Sequence, residues 1–295
     1  MMKQIKVGVL RGGAYSRTPE YDVSLASGNL VLNNLPAGYK PVDLFVDREG
    51  FWHVQGLPAT ENRIKENVDV VWNALHGPFA LGGGVEEKLT SLAIPYTGPI
   101  WSDAAFPISR FALNHRLRML GFKTPMSLAI EGDAILGAKE VFSKISPPWL
   151  VRPPVLTQAS PVYLAKDLSE LVAAIKLQLE DYGSAYVEEA VKGEQATSGI
   201  IEHFRNETWY RLLPQGNLNK MNKSLIEELA EKLHLKLGLR HYSQFDFVAS
   251  PKRGIYVTSI EPLPRLDGSF GELLDGVGAS LSNFIEHVIK LAREY

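Results

Sequence analysis

The chain contains no cysteine among its 295 residues. That excludes disulfides, thiol nucleophiles and cysteine-ligated zinc or iron–sulfur centres, and it fits a reducing compartment. No apolar run approaches the ~20 residues that a bilayer-crossing helix needs. Met1 to Ile5 leads into a short strand rather than an apolar leader. The expectation is a cytoplasmic protein with no membrane partner. A net charge of −2 and a pI near 6.4 give no general attraction to phosphate backbones, and the basic residues are spread among acidic ones, so no nucleic-acid partner is expected. Internal repeats and low-complexity segments are missing as well. What is there is 45% hydrophobic and 22% charged, ordinary globular composition over a length that suits two or three units with cores large enough to need no staples.

Ile5-Lys6-Val7-Gly8-Val9-Leu10 is a β-branched apolar run that stops at Arg11-Gly12-Gly13, which predicts a buried strand with a glycine turn at its C-terminal end. Val23 to Leu35 has helical spacing, and Pro41 to Val46 and Val68 to Trp72 are two further strands. Strand, helix and strand in alternation predict a parallel sheet, whose ligands lie beyond the C-terminal strand ends. Arg11 to Tyr21 and Asn73 to Gly84 occupy such ends. From about Ser102 the pattern changes. Helices are predicted over 109–120, 168–179, 224–238 and 278–293, with Ser224 and Glu227 as a capping box for the third. Trp149 to Arg152 and Ala185 to Val191 read as strands, and Phe245 to Val248 and Gly254 to Ile260 as a hairpin turning at Pro251-Lys252-Arg253.

Three motifs follow one another in order: Val23-Ser24-Leu25-Ala26-Ser27-Gly28, then Asn73-Ala74-Leu75-His76-Gly77 at the end of a strand, then Ile94-Pro95-Tyr96-Thr97-Gly98. In this order they resemble the N-terminal third of the D-alanine–D-alanine ligases, ATP-grasp enzymes that phosphorylate one D-alanine carboxylate and join it to the amino group of a second. The resemblance spans nearly the whole chain. It implies an α/β plus α+β protein: an N-terminal parallel-sheet pre-ATP-grasp domain over 1–100, then a two-lobed ATP-grasp fold with a central lobe over 101–184 and a C-terminal lobe over 185–295. ATP and Mg²⁺ are the implied cofactors, a nucleotide and an amino acid the implied partners, homodimerisation the implied assembly and peptidoglycan synthesis the implied setting.

The resemblance also carries to single residues. Glu20 matches the acid of the substrate pocket. His76 matches the histidine beside the substrate carboxylate; as a bare residue it reads equally as a turn histidine held by a backbone hydrogen bond. Glu189, with Glu188 beside it, matches the hinge acid near adenine. Arg240 and Asp246 match part of the family's Cys-Arg-x-x-x-Arg-x-Asp pattern, with Asp246 as a Mg²⁺ ligand. Arg110 and Arg152 stand where two phosphate-holding lysines are expected, keeping the charge in a planar fork. Gln195 stands where an acid would hold the ribose. Glu261 is the second oxygen donor, in either of two frames: Ser259-Ile260-Glu261 aligned with Glu-Ile-Asn, or Glu261 as the Glu with Leu263 in place of the Asn.

Other parts are lost. The Gly-Ser-Ser-x-Gly flap reads Thr157-Gln158-Ala159-Ser160-Pro161, which removes the bare backbone that approaches phosphate. Leu81 replaces an acid, Gln244 replaces the arginine for the substrate carboxylate, and the tyrosine-rich lid loop is short or absent. Two readings follow. One is a ligase-like protein whose ligation is impaired or lost and whose scaffold serves in binding. The other is a divergent ATP-dependent carboxylate–amine ligase that makes D-Ala-D-Ala or a related dipeptide, with Glu20, His76 and Arg240 at its chemistry.

Overall fold

A computed structural model describes residues 4–14, 19–81, 84–100, 108–157 and 161–294. The middle of the flap, 158–160, lies outside them.

The N-terminal unit holds β1 (Ile5–Gly12), α1 (Glu20–Asn34), β2 (Tyr39–Val46), β3 (Trp52–Val54), β4 (Leu57–Pro58), α2 (Glu61–Asn67), β5 (Val70–Asn73), α3 (Gly77–Leu81) and α4 (Gly84–Ser91). Its sheet runs β4-β3-β2-β1-β5. β1 pairs parallel with β2 and β5, while β3 and β4 add an antiparallel edge. Val7, Val9 and Leu10 are fully buried because both faces of this sheet are covered, and their near-continuous apolar run follows from that.

The central unit holds α5 (Arg110–Met119), β6 (Ser127–Glu131), α6 (Ala134–Lys144), β7 (Trp149–Arg152), β8 (Tyr163–Ala165), α7 (Leu168–Tyr182) and β9 (Ser184–Glu189), in an antiparallel sheet of order β6-β9-β7-β8. Asp167 caps α7 by accepting the Glu170 N–H, and Gly183 ends it at φ 74°, where a Cβ is disfavoured. The last unit holds β10 (Glu194–Glu202), β11 (Trp209–Gln215), α8 (Lys220–Lys236), β12 (Tyr242–Ser250), β13 (Gly254–Glu261), α9 (Ser269–Gly276) and α10 (Leu281–Ala292), with sheet order β11-β10-β12-β13. The division expected at 184/185 falls at the start of β9, whose partners β6 and β7 are both central.

Three hydrophobic clusters hold these layers. One is confined to the central unit, around Trp149, Ile175 and Val187. The other two join the first and last units. Leu10, Leu44 and Val71 pack in one cluster with Phe245, Ile260 and Leu263. Val7, Val9 and Trp72 pack in the other with Phe270, Phe284 and Val288. α10 thus returns to the N-terminal sheet and buries Phe284, Ile285, Val288 and Ile289 completely, an amphipathic stripe at helical spacing. The central lobe, with its own core, faces the last sheet across a cleft.

Two helix starts differ from the sequence expectation. α8 begins at Lys220 with Asn219 as its cap, accepting the Asn222 N–H, so Ser224 and Glu227 lie inside the helix one turn later. Asn is as good a cap as Ser, and the earlier of two competent caps prevails because a longer helix satisfies more backbone. The final helix begins at Leu281 with Ser280 as cap, and α9 precedes it. The hairpin turning at 251–253 is present as β12–β13. Among the described residues no helix is long and apolar enough to cross a membrane.

Candidate active-site cleft

Between the central and last sheets lie two adjoining spaces. One, of about 450 Å³, is lined by Arg110, Arg152, Thr157, Gln244, Asp246, Ser259, Glu261 and Arg265. The other, of about 460 Å³, is lined by Arg152, Glu188, Glu189, Val191, Gln195, Thr197 and Asp246. They meet at Arg152, Asp246 and Ser269. Seven of the ten residues singled out in the sequence therefore share one cleft: Arg110, Arg152, Glu188, Glu189, Gln195, Asp246 and Glu261.

The floor is a strand lattice. Thr197 on β10 stands opposite Asp246 on β12, which stands opposite Ser259 on β13. In the next row Gln244 stands opposite Glu261. Residues two apart on a strand share a face, so these side chains point together. Thr197 Oγ1 donates to Asp246 Oδ1 at 2.8 Å, and Ser259 Oγ donates to Glu261 Oε1 at 3.0 Å. Burial raises the Asp246 pKa, outweighing the opposing pull of Thr197, Arg152 and Gln244. Gln244 accepts the Ser269 hydroxyl at 3.1 Å and reaches Asp246 Oδ1 at 3.5 Å. Among the described residues no group of three or more potential metal-ligating side chains assembles. Asp246 and Glu261 are the two carboxylates among the residues that line this space, and both are oxygen donors of the kind a Mg²⁺ ion takes.

The opposite wall is cationic. Arg110 opens α5 behind the cap Ser109, and its backbone N–H bonds Pro154 O at 2.8 Å. Its guanidinium donates Nε to the Pro153 carbonyl at 3.2 Å and, among the described residues, makes no ion pair with a carboxylate. Burial lowers its pKa, and the like charge of Arg152 adds to this. Arg152 Nε lies 2.7 Å from Glu188 Oε1 without the alignment of a hydrogen bond. Burial raises Glu188 against the pull of both arginines. Further along, Glu189 is held by Arg253 through two bonds of 2.8 and 3.2 Å, so its carboxylate is already engaged.

Glu20 and His76 sit at the other end. Glu20 is fully buried at the first position of α1; Thr157 Oγ1 donates to its Oε1, and its Oε2 finds no hydrogen bond among the described residues. His76 Nε2 is 2.8 Å from Ser27 Oγ. Burial, then the Arg265 charge, lowers its pKa to about 4, so the ring is neutral at ordinary pH. His76 also lines a small space shared with Thr157 and Glu261. Arg240 is elsewhere, its guanidinium 5.7 Å from the Tyr96 ring centre and not among the residues lining the cleft.

Sequence reasoning overlooked Thr197, Ser269 and Arg265. The first two are hydroxyls that gain meaning only from strand register. Arg265 carried a signal in Arg265-Leu266-Asp267, a basic and an acidic residue two apart just after the strand that ends in Glu261.

No family model matches the chain. It is 26% identical to the D-alanine–D-alanine ligase of Geotalea uraniireducens, over 99% of this chain and 96% of that protein, and 27% identical to the one from Geobacter sulfurreducens, over 90% and 86%. Among solved structures it superposes on the VanG D-Ala:D-Ser ligase of Enterococcus faecalis with a TM-score of 0.80 at 18% identity, covering 98% of this chain and 100% of that one. It superposes on the Bacillus anthracis D-alanine–D-alanine ligase complexed with ATP with a TM-score of 0.78 at 21% identity, covering 98% of each. These structures establish the ATP-grasp architecture. The likeness to curated D-alanine–D-alanine ligases runs from end to end of the chain, on that shared architecture.

Proposed function

We propose that the protein binds a nucleotide in the cleft between Arg152 and Glu189 and that its ligation is impaired or lost. The observation that carries the binding half is Arg110, a buried guanidinium whose one hydrogen bond among the described residues goes to a carbonyl. Burial of this charge is costly, Glu188 and Glu261 act on it without an ion pair among the described residues, and an anion arriving between Arg110 and Arg152 relieves the cost. The Bacillus anthracis ligase forms an ATP complex, and the two adjoining spaces here have room for a base at Gln195 and Val191 and phosphates at the arginines. One Mg²⁺ at Asp246 and Glu261 supplies charge neutralisation for the phosphates when bound. The units expected at 1–100, 101–184 and 185–295 act in this reading as a base and two clasping lobes.

The impaired half rests on the floor of the cleft. Phosphoryl and acyl transfer are carried by positioned charge. Here Gln244 and Ser259 put neutral groups in the two rows beside Asp246 and Glu261, and Gln244 is already bonded to Ser269. The alternative, an active ligase joining small amino acids, draws support from one feature, Arg265, which returns a guanidinium to the same space. Calorimetric titration with ATP and Mg²⁺, followed by phosphate release with and without D-alanine, tests both halves. Absence of ATP binding at millimolar ligand overturns the nucleotide reading, and D-alanine-dependent phosphate release at an ordinary enzymatic rate overturns impairment.

A further inference from the structure

Arg265 lies in the loop between β13 and α9 and lines the same space as Gln244, Asp246 and Ser269. Asp267, two residues on, accepts its Nε at 2.9 Å and its Nη2 at 2.8 Å. That bidentate grip fixes the plane of the guanidinium along one edge. Nη1 makes no hydrogen bond among the described residues, so the second edge, Nη1 with the remaining Nη2 proton, is unused. The side chain is 32% exposed, reachable from the cleft yet partly shielded. Its charge acts on His76, which places it toward the Glu20–His76 end, away from the base-sized space that it does not line.

The chemistry selects the ligand. Arg265 and Asp267 together are neutral, so a phosphate dianion gains little there and meets Asp267. A carboxylate brings one charge and two oxygens in one plane, which matches the unused edge. Gln244, one row over on the floor, is 6% exposed and engaged with Ser269 and Asp246, so it offers no cation. We propose that Arg265, oriented by Asp267, holds the carboxylate of a small amino acid in this cleft, the work for which position 244 lacks a charge. Arg265 is then a binding residue and Asp267 a positioning residue. The inference rests on the reading that this cleft binds ligand.

The test uses D-alanine and D-alaninamide as probes, which differ at the carboxyl end, a charged pair of acceptor oxygens in one and a neutral amide in the other, with binding followed by ligand-observed NMR on the full chain. Expected are a wild-type preference for D-alanine over the amide, and a loss of at least about tenfold in D-alanine affinity in Arg265→Ala with amide binding unchanged. Asp267→Asn should show a smaller loss and Arg265→Lys an intermediate one, since an ammonium keeps charge without the fork. Adding Gln244→Arg to Arg265→Ala should recover part of the affinity. D-alanine binding by Arg265→Ala within about twofold of wild type overturns the proposal, as does a wild-type protein that does not distinguish the probes or binds neither. Nucleotide titration of the same proteins separates the two claims. ATP binding with no role for Arg265 sinks only the arginine, whereas Arg265-dependent D-alanine binding without ATP binding sinks only the nucleotide reading. Thermal unfolding of each variant shows whether it is folded.

Discussion

Thr197 Oγ1 donates a 2.8 Å hydrogen bond to Asp246 Oδ1 across the β10–β12 pair, and this bond does not compensate the aspartate for its burial. The Asp246 pKa is raised in the fold, so the unfolded chain ionises first as pH rises. The Asp246 contribution to stability is therefore most favourable below the unfolded value of 3.8 and declines as pH rises through the range between the unfolded and folded pKa values. Asp246→Asn keeps the acceptor for Thr197 and removes this cost. The variant is expected to unfold at a higher temperature than wild type at neutral pH and to lose the stabilisation that Mg²⁺ gives wild type. Scanning calorimetry with and without Mg²⁺ checks both, and an Asn variant less stable than wild type at neutral pH contradicts the assignment.

His76 titrates with the opposite consequence. Its pKa falls from 6.5 in the unfolded chain to about 4 in the fold, chiefly through burial. The unfolded state takes up the proton first, so the contribution is complete above 6.5 and is lost as pH falls toward 4. His76→Gln removes this limb. Urea unfolding at several pH values across that window should show the difference between wild type and variant shifting by roughly 3 kcal/mol in the variant's favour. His241, lowered to about 3, acts equally in both proteins and cancels.

The N-terminal sheet and most of the cleft were legible because their signals are local. β1 and β5 are continuous apolar runs ending in Gly12 and in the Asn73–Gly77 motif, and the strand-end rule put His76 at a cleft. Asp246 and Glu261 were legible through motif spacing, and the structure brings them into adjacent rows. The place of Arg240 beside Tyr96 depends on where the turn after α8 meets another unit, a tertiary matter that the motif does not carry. The start of α8 was misplaced because Asn219 and Ser224 are both competent caps and only packing decides between them. The return of α10 onto the first sheet carries no local mark beyond amphipathicity, which names a face but not its partner.

A buried triad ties the last unit together. Glu202 Oε2 accepts the His241 N–H at 2.7 Å and Oε1 accepts from His234 Nε2 at 3.1 Å, leaving His234 Nδ1 to pair with Ser243 Oγ at 2.7 Å. Glu202 is 2% exposed and His234 and Ser243 are fully buried, so no substrate reaches them and the group is structural. Burial pushes the Glu202 carboxyl up, but the bonds from His234 and His241 override it and leave it low. Glu202→Ala removes both acceptors and should cost about 3–5 kcal/mol, and Glu202→Gln, which keeps one, about 1–3 kcal/mol. Nucleotide affinity should be unchanged in the Gln variant. Denaturant unfolding with a parallel titration checks this, and a fully stable Glu202→Ala refutes it.

Restoring two charges should not restore ligation. Gln244→Arg with Ser259→Glu returns the missing groups to the rows beside Asp246 and Glu261. The flap still ends in Pro161, which offers no N–H to phosphate. The chain still passes from Gln215 to Lys220 directly, without length for a lid that excludes water from an acylphosphate. Phosphate release by the double variant, with D-alanine present, is expected to stay at the wild-type level. A rise of about tenfold or more in turnover would show that the floor charges alone limit the reaction.

Gly98 is where the N-terminal unit meets the last one, and its requirement for glycine has two separable parts. Its φ is +102°, a region that residues with a Cβ avoid, and a Cβ there would stand 2.6 Å from Leu263 Cδ2. Its N–H also donates to His241 Nδ1 at 3.0 Å, so the backbone has little freedom to shift away. Gly98→Ala should cost about 1–2 kcal/mol for the backbone and about 1–3 kcal/mol for overpacking. Leu263→Ala alone leaves a cavity worth about 2–5 kcal/mol. In the double variant the new methyl meets open space instead of Leu263, so the combined loss should fall below the sum of the single losses by roughly the overpacking share, leaving the backbone share intact. Denaturant unfolding of the four proteins closes the cycle, and strict additivity would place the whole cost in the backbone and remove Leu263 from the account.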